Sequence, residues 1–393
     1  MHASPFGVRE VRIRGFRSAR SVGFTPGPVC ALVGGPGVGK SNVLAAISML
    51  LEQAAPAPTD VGRGAERVRL SATLYGGDEL TVETTRGGPA ALSGRSVPVL
   101  FLPASERSGG LVAPTAVADG AERIVGEYFR DGARQSSASP AAALVVALER
   151  LCAADERGLV LLIEEPELFL RPQAQRYLYR LLRVFASSGN QVLYSTHAPA
   201  FLNVGRLDEL ALVEYDPETG TTIVHPEPLT AEESFRAVSE LDAERGELFL
   251  ARAVLLVEGR TEKLTFPFVF RALGHDPDQE AISIVECGGK PNILLFARIC
   301  QAAHVPYVVV HDRDAAPGKK PIPGERVLNA QIAEVAGQQR TVVLARDFEA
   351  VMGLHGHTHK PARAWERFSK IEPGEVPAPL RQAVEKVIAM ARV

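Results

Sequence analysis

Gly34-Gly35-Pro36-Gly37-Val38-Gly39-Lys40-Ser41 satisfies G-x-x-x-x-G-K-[ST] at every fixed position. Its surroundings supply the context such a loop requires. Val29-Cys30-Ala31-Leu32-Val33 reads as a buried strand running into the glycines, and residues 42–52 carry a helical pattern. In a strand–loop–helix unit of this kind the backbone N–H groups turn inward and the helix adds its positive end, so the loop is built for phosphate. Gly34, Gly37 and Gly39 allow the curl, Lys40 reaches the β- and γ-phosphates, Ser41 holds Mg²⁺, and Asn42 opens the helix beside them. The fold this predicts is α/β, with a nucleotide such as ATP as ligand.

Leu159-Val160-Leu161-Leu162-Ile163 is a continuous apolar run, as expected of a central parallel strand, and it ends in Glu164-Glu165-Pro166. The first carboxylate is placed to serve the Mg²⁺ shell and the second to orient or deprotonate an attacking water. His197, in Tyr194-Ser195-Thr196-His197-Ala198-Pro199, ends the next strand and is placed to contact the γ-phosphate. The bland alternatives are a solvated carboxylate pair capping a helix and a structural histidine.

Composition narrows the classes. The 393 residues suffice for two or three domains, with 46% hydrophobic and 23% charged residues. The formal net charge of −3 leaves any contact with DNA to local basic patches. Cys30, Cys152, Cys287 and Cys300 form no C-x-x-C pair and read as reduced and structural. No apolar run approaches the length of a membrane span, and arginines interrupt the N-terminal segment where a signal peptide needs an apolar stretch, so a cytoplasmic location is expected.

Strands alternate with helical segments through both halves, which predicts parallel sheets in each. Short strands are expected at residues 67–75 and 79–85 as a hairpin, and another hairpin at 210–215 and 221–224. The boundary is expected near residues 245–252, dividing a first domain, 1–245, from a second, 250–393. The second domain opens on a strand at 253–257 and carries an acidic set, Val257-Glu258-Gly259-Arg260-Thr261-Glu262 and His311-Asp312-Arg313-Asp314. Carboxylates at the ends of neighbouring parallel strands meet in one crevice, where they can hold one or two Mg²⁺ or Mn²⁺ ions. Exposed acidic pairs are common, and a structural role alone is the competing reading.

The first set, with Glu167, Leu170-Arg171-Pro172-Gln173 and the opening Ile13-Arg14-Gly15-Phe16-Arg17, resembles the ABC-type ATPases of the SMC, Rad50 and RecF group. The second set resembles the Toprim domain, a Rossmann-like parallel sheet. An ABC-type P-loop ATPase domain followed by a Toprim domain resembles the OLD (overcoming lysogenization defect) family of ATP-dependent nucleases. That resemblance implies Glu165 as catalytic glutamate, His197 as switch histidine and Glu164 as support for Mg²⁺. It implies Glu258, Asp312 and Asp314 as metal ligands, Glu262 one helical turn on, Glu349 as a second-metal ligand and Lys360 as a charge-neutralising residue. Gly288-Gly289-Lys290 resembles the Toprim glycine turn that approaches a DNA phosphate. His355, His357 and His359 have ligand-like spacing but read as compositional only.

The function so implied is ATP-dependent, metal-dependent DNA cleavage or nicking, in phage defence or DNA processing. DNA is the expected partner, the ATPase domains pair as a homodimer, and no membrane is involved. The alternative is a repair ATPase whose Toprim module binds DNA without cutting. A topoisomerase reading is poor, because Tyr307 alone among tyrosines lies in the second domain, within a strand. One departure stands out: Gln135-Ser136-Ser137-Ala138-Ser139-Pro140, where a signature would fall, lacks the glycine pair of ABC enzymes.

Overall fold

The computed structural model describes residues 4–104, 116–117, 140–202, 204–240, 245–314, 323–353 and 360–392. The packing divides the chain into two units, Met1–Pro226 and Glu227–Val393.

In the first unit, β1 (Val8–Phe16) and β2 (Ala19–Phe24) form a hairpin, and β3 (Val29–Val33) leads through the glycine loop into α1 (Lys40–Glu52). β4 (Arg67–Leu74), β5 (Glu79–Thr85) and β6 (Ala91–Ser93) follow, then β7 (Val99–Leu102), β8 (Ala116–Val117) and α2 (Pro140–Ala153). β9 (Val160–Glu164), α3 (Pro172–Ser187), β10 (Gln191–Thr196), β11 (Leu210–Asp216) and β12 (Gly220–Val224) complete the unit. Two sheets result, one antiparallel in the order β2-β1-β4-β5-β6 and one mainly parallel in the order β12-β11-β3-β10-β9-β7-β8. The strands of the first alternate buried and exposed residues, as expected of a sheet with one face to water. Those at the centre of the second are buried along almost their whole length.

Helix α1 lies between the sheets. Its Val43, Leu44, Ile47 and Leu50 share one core with Val11, Ile13, Leu70 and Val82 from one sheet and Leu162 and Leu193 from the other. A second link is polar. Gln191, fully buried at the start of β10, accepts from the Val8 N–H at 2.8 Å and donates to the Val8 and Gly27 carbonyls at 2.8 and 3.0 Å. It supplies the ladder partners that β1 lacks at its entry, where buried backbone groups must be paired.

The second unit begins with α4 (Ala231–Glu240), then β13 (Ala253–Val257), α5 (Arg260–Ala272), β14 (Ile282–Glu286) and α6 (Lys290–Ala302). β15 (Tyr307–Asp312), α7 (Pro323–Ala336), β16 (Thr341–Leu344), α8 (Phe348–Val351), α9 (Lys360–Phe368) and α10 (Ala378–Ala391) follow. The four strands are parallel in the order β14-β13-β15-β16. Phe266, Val269 and Phe270 of α5, Phe368 of α9 and Leu380, Val384 and Val387 of α10 form one core with β13, β15 and β16. The break in packing falls ahead of α4 rather than behind it. Arg236 reaches the Pro291 carbonyl and the Asn292 side chain at 3.1 Å each, so α4 is fastened to α6.

Candidate active sites

The glycine loop leaves the C-terminal end of β3 and turns directly into α1. Two of its glycines are required by close neighbours. A Cβ on Gly34 would stand 2.1 Å from the Val213 carbonyl oxygen, and one on Gly39, at φ +105°, 2.2 Å from Thr221 Oγ1. The Lys40 ammonium lies along the loop, donating to the Gly34 and Gly35 carbonyls at 2.8 and 2.7 Å. Burial lowers its pKa to about 8, while Glu165 and Glu167 pull the other way. Ser41 is exposed at the first turn of α1. Asn42 donates to Ser18 Oγ at 2.7 Å and accepts from Arg17 at 3.3 Å, bracing the helix start against the β1–β2 turn. No atom lies within 4 Å of a Cβ built on Gly37, so the loop opens on free space where a phosphate fits the cradle.

β9 and β10 end beside β3, in a register that pairs Glu164 with Ser195 and Val33 with Thr196. The strand ends therefore place Glu165 and His197 together, with His197 Nε2 4.0 Å from Glu165 Oε1. Burial and the nearby Lys40 charge lower the His197 pKa, so the ring is neutral at neutral pH. Glu164 Oε2 accepts from the Ala104 N–H at 2.9 Å, a contact a metal would compete with. Sequence reasoning gave Glu167 no role. Its Oε1 accepts from Thr196 Oγ1 at 3.0 Å and from the His197 N–H at 2.7 Å, and it is the latch between the two strand ends. Lys40→Ala is expected to weaken ATP binding about a hundredfold, the ~3 kcal/mol of a charge-assisted contact. Titration with a fluorescent nucleotide checks this, and unchanged affinity would remove Lys40 from the site.

In the second unit β13 and β15 are the neighbours at which the connections change direction, the usual place for a crevice. Glu258 follows β13 and Asp312 ends β15, with the Asp312 N–H 3.4 Å from Glu258 Oε2. The Gly288 and Gly289 N–H groups each donate to the Glu258 carbonyl at 3.0 Å, tying the glycine turn to the same strand end. Glu262, one turn into α5, is only 8% exposed. Burial first, then the charges of Glu258, Glu262, Asp314 and Glu349, push the Asp312 pKa up to about 8. Burial, with Glu258 and Glu349, pushes Glu262 to about 7. Asp312 Oδ1 is buried without a hydrogen-bond partner. Mutually repelling carboxylates with an orphaned oxygen fit a divalent cation. Among the described residues no three side chains already form a coordination sphere.

The acidic set is drawn apart by Asp314. Its carboxylate pairs with Lys290, which also meets Glu325 Oε2 at 2.6 Å. Lys290, the last residue of the glycine turn, is buried between these two carboxylates. Glu349 stands at the first turn of α8, after Asp347 has capped it by accepting from the Ala350 N–H. Lys360 begins α9, and its side chain lies outside the described residues, as do residues 135–139 and the histidines at 355, 357 and 359. Cys30, Cys287 and Cys300 are buried and Cys152 is partly so, all as free thiols.

Residues 249–314 match the family model described as the overcoming lysogenization defect protein-like TOPRIM domain, and residues 139–203 match an AAA domain model. The chain joins an AAA ATPase domain to an OLD-like TOPRIM domain. The OLD nuclease of Thermus scotoductus is 35% identical over 251 residues, covering 59% of this chain and 48% of that protein. The Old nuclease of Escherichia phage P2 is 28% identical over 162 residues, covering 39% of this chain and 28% of that one. The chain thus spans less than half the length of these two relatives. The C-terminal region of the Burkholderia pseudomallei OLD protein aligns with a TM-score of 0.31 at 17% identity, covering 36% of this chain and 98% of that one. No helix among the described residues is long and apolar enough to cross a membrane.

The TOPRIM crevice carries a pH signature. For Asp312 and Glu262 the folded pKa lies above the unfolded value, so the folded chain keeps protons that the unfolded chain has released. Without metal, stability of this unit is expected to fall as pH rises from about 4 toward about 8, and Mg²⁺ is expected to restore it at the upper end. Thermal melts in EDTA and in Mg²⁺ across that range check this. A metal-free unit that gains stability over the same interval would contradict the assignment.

Proposed function

We propose that the chain is an ATP-dependent, divalent-metal-dependent DNA endonuclease or nickase of the OLD type, acting in the cytoplasm in phage defence or DNA processing. The observation that carries this is the Asp312 carboxylate: half-buried, with one oxygen enclosed and unpaired, and its pKa raised by burial and by acidic neighbours, in a chain that also bears a complete P-loop. In the first domain, 1–245 by sequence, the glycine loop and Lys40 bind the ATP phosphates, and Ser41 and Glu164 serve Mg²⁺. Glu165 orients water and neutral His197 senses the γ-phosphate. Two ATPase domains pair across the nucleotide as a homodimer.

In the second domain, 250–393, Glu258, Glu262 and Asp312 would hold a divalent ion, with Asp314, Glu349 and Lys360 as further members of the site. Mg²⁺ or Mn²⁺ there supplies an activated water and neutralises the leaving oxygen. The protein's own part is to hold Glu258 and Asp312 at the ends of two adjacent strands, with Glu262 one helical turn on, where partial burial strengthens their attraction for a cation. DNA contact is supported by the outer face of the antiparallel sheet, where Arg14 and Arg69 stand directly opposite each other. Like charges so placed repel, and a phosphate backbone would relieve them.

The test is incubation of the full chain with supercoiled plasmid and Mg²⁺ or Mn²⁺, with and without ATP. Relaxation or linearisation is expected, and its change with ATP gives the sign of control. The second reading, a module that binds DNA without cutting, is favoured by the engagement of Asp314 with Lys290. Metal-dependent DNA retention without cleavage under every condition would select it.

A further inference from the structure

The TOPRIM crevice already contains a cation. Lys290 opens α6, and its side chain is 2% exposed. The ammonium pairs with Asp314, after β15, and with Glu325 Oε2 in α7 at 2.6 Å. An ammonium at that depth is tolerable only when its charge is fully met, and here two carboxylates from separate elements meet it. The anchorage is equally specific. Gly288 and Gly289, just before the lysine, are hydrogen bonded to the carbonyl of Glu258, so the lysine and a candidate metal ligand share one strand end.

The carboxylates are therefore sorted into two groups. Asp314 and Glu325 face Lys290. Glu258 lies in reach of the Lys290 charge without a hydrogen bond to it, Glu258 and Glu262 both repel Asp312, and the unpartnered oxygen belongs to Asp312. A divalent ion beside Asp314 would have to displace a buried, doubly paired ammonium. An ion on the other side would compete only with the long contact from the Asp312 N–H to Glu258 Oε2.

We infer that Lys290 is a resident cation of the crevice, filling the position of a second divalent ion, keeping Asp314 as its own counter-ion and leaving room for one divalent ion at Glu258, Glu262 and Asp312. This rests on the metal-site reading above. An ammonium can neutralise phosphate charge and donate hydrogen bonds, but it does not acidify a bound water as a metal does. Activation of the nucleophile then belongs to the single-ion side, and Lys290 contributes charge alone.

The test is Mn²⁺ binding to the full chain without nucleotide, followed by loss of the free-ion electron paramagnetic resonance signal. One bound ion is expected, absent in Asp312→Ala. Lys290→Met is expected to bind two and Lys290→Arg one. Two Asp312-dependent ions in the unaltered protein, or one ion in a folded Lys290→Met, would overturn the inference while leaving the metal site standing. No Asp312-dependent ion would remove the metal site and the inference together. Because Lys290→Met can fail to fold, acetylation of the unaltered protein gives a second readout. Lys290 should stay unmodified with and without saturating Mn²⁺, and reactivity induced by Mn²⁺ would show the lysine giving way to a metal.

Discussion

Asp312→Ala should lower DNA cleavage by roughly a thousandfold, the ~4 kcal/mol that a group stabilising transition-state charge supplies. ATP hydrolysis should be unaffected, because Asp312 ends β15 of the second unit while the glycine loop, Glu165 and His197 belong to the first. The effect is expected to be large because Asp312 brings the one unpartnered buried oxygen of this acidic cluster, so no neighbour replaces it. Asp312→Asn keeps the volume and removes the charge, and should lose nearly as much. Plasmid cleavage and phosphate release measured on the same preparations separate the outcomes. A parallel loss of both activities would mean that the two sites are not chemically distinct.

Gln191→Ala should destabilise the first unit by about 4 kcal/mol. The loss leaves the Val8 N–H and the Val8 and Gly27 carbonyls, all paired by this one amide, without partners, at roughly 1–3 kcal/mol for each buried group. Water entering the gap offsets part of that sum. For a unit of this size the melting temperature should drop by roughly 10 °C. Gln191→Glu should be almost as damaging, since a buried carboxylate cannot donate to two carbonyls. Calorimetry with and without ATP would isolate the first unit's transition, and a shift below about 2 °C would contradict the role assigned to Gln191.

The parallel strands were legible because their composition is one-sided. Val29–Val33 and Ala253–Val257 match the sequence-based expectation residue for residue, being short apolar runs bounded by turn or charged residues. The antiparallel sheet was less so. Ala19–Phe24 carries no strand expectation after Gly15-Phe16, because Arg20 and Ser21 mask an alternation that only its partner β1 reveals. Ala91–Ser93 is exposed and only three residues long, with the single large apolar residue Leu92, so residues 87–95 read as loop. The helices α9 and α10 also went unread, their apolar faces being spaced among charges and prolines.

The sites divide similarly. The loop Gly34–Ser41, the pair Glu164-Glu165 and the acids Glu258 and Asp312 follow from motif spacing. What spacing cannot convey is which side chain meets which. Glu167 gains its role by reaching the far end of β10, and Gln191 by reaching Val8 across most of the unit. The pairing of Lys290 with Glu325 joins two helices between which β15 intervenes. A polar residue just before an apolar strand, as at Gln191, is the one signal that could have marked the second of these.

The position of β3 has a consequence for biosynthesis. This strand carries the glycine loop, yet its sheet neighbours are β10 and β11, residues 191–196 and 210–216. A nascent chain that has emerged only as far as β9 holds a loop with the right sequence and a strand with both edges unpaired. Gly34 and Gly39, moreover, are shaped against Val213 and Thr221, which are made later still. The phosphate cradle therefore forms late, in one step with closure of the first unit, because such distant pairings come only after the intervening chain is available. A ribosome-bound fragment ending before residue 210 should not retain ATP, whereas one that has cleared Pro226 should, so on the proposed function nucleotide is first held as the second unit begins to be synthesised.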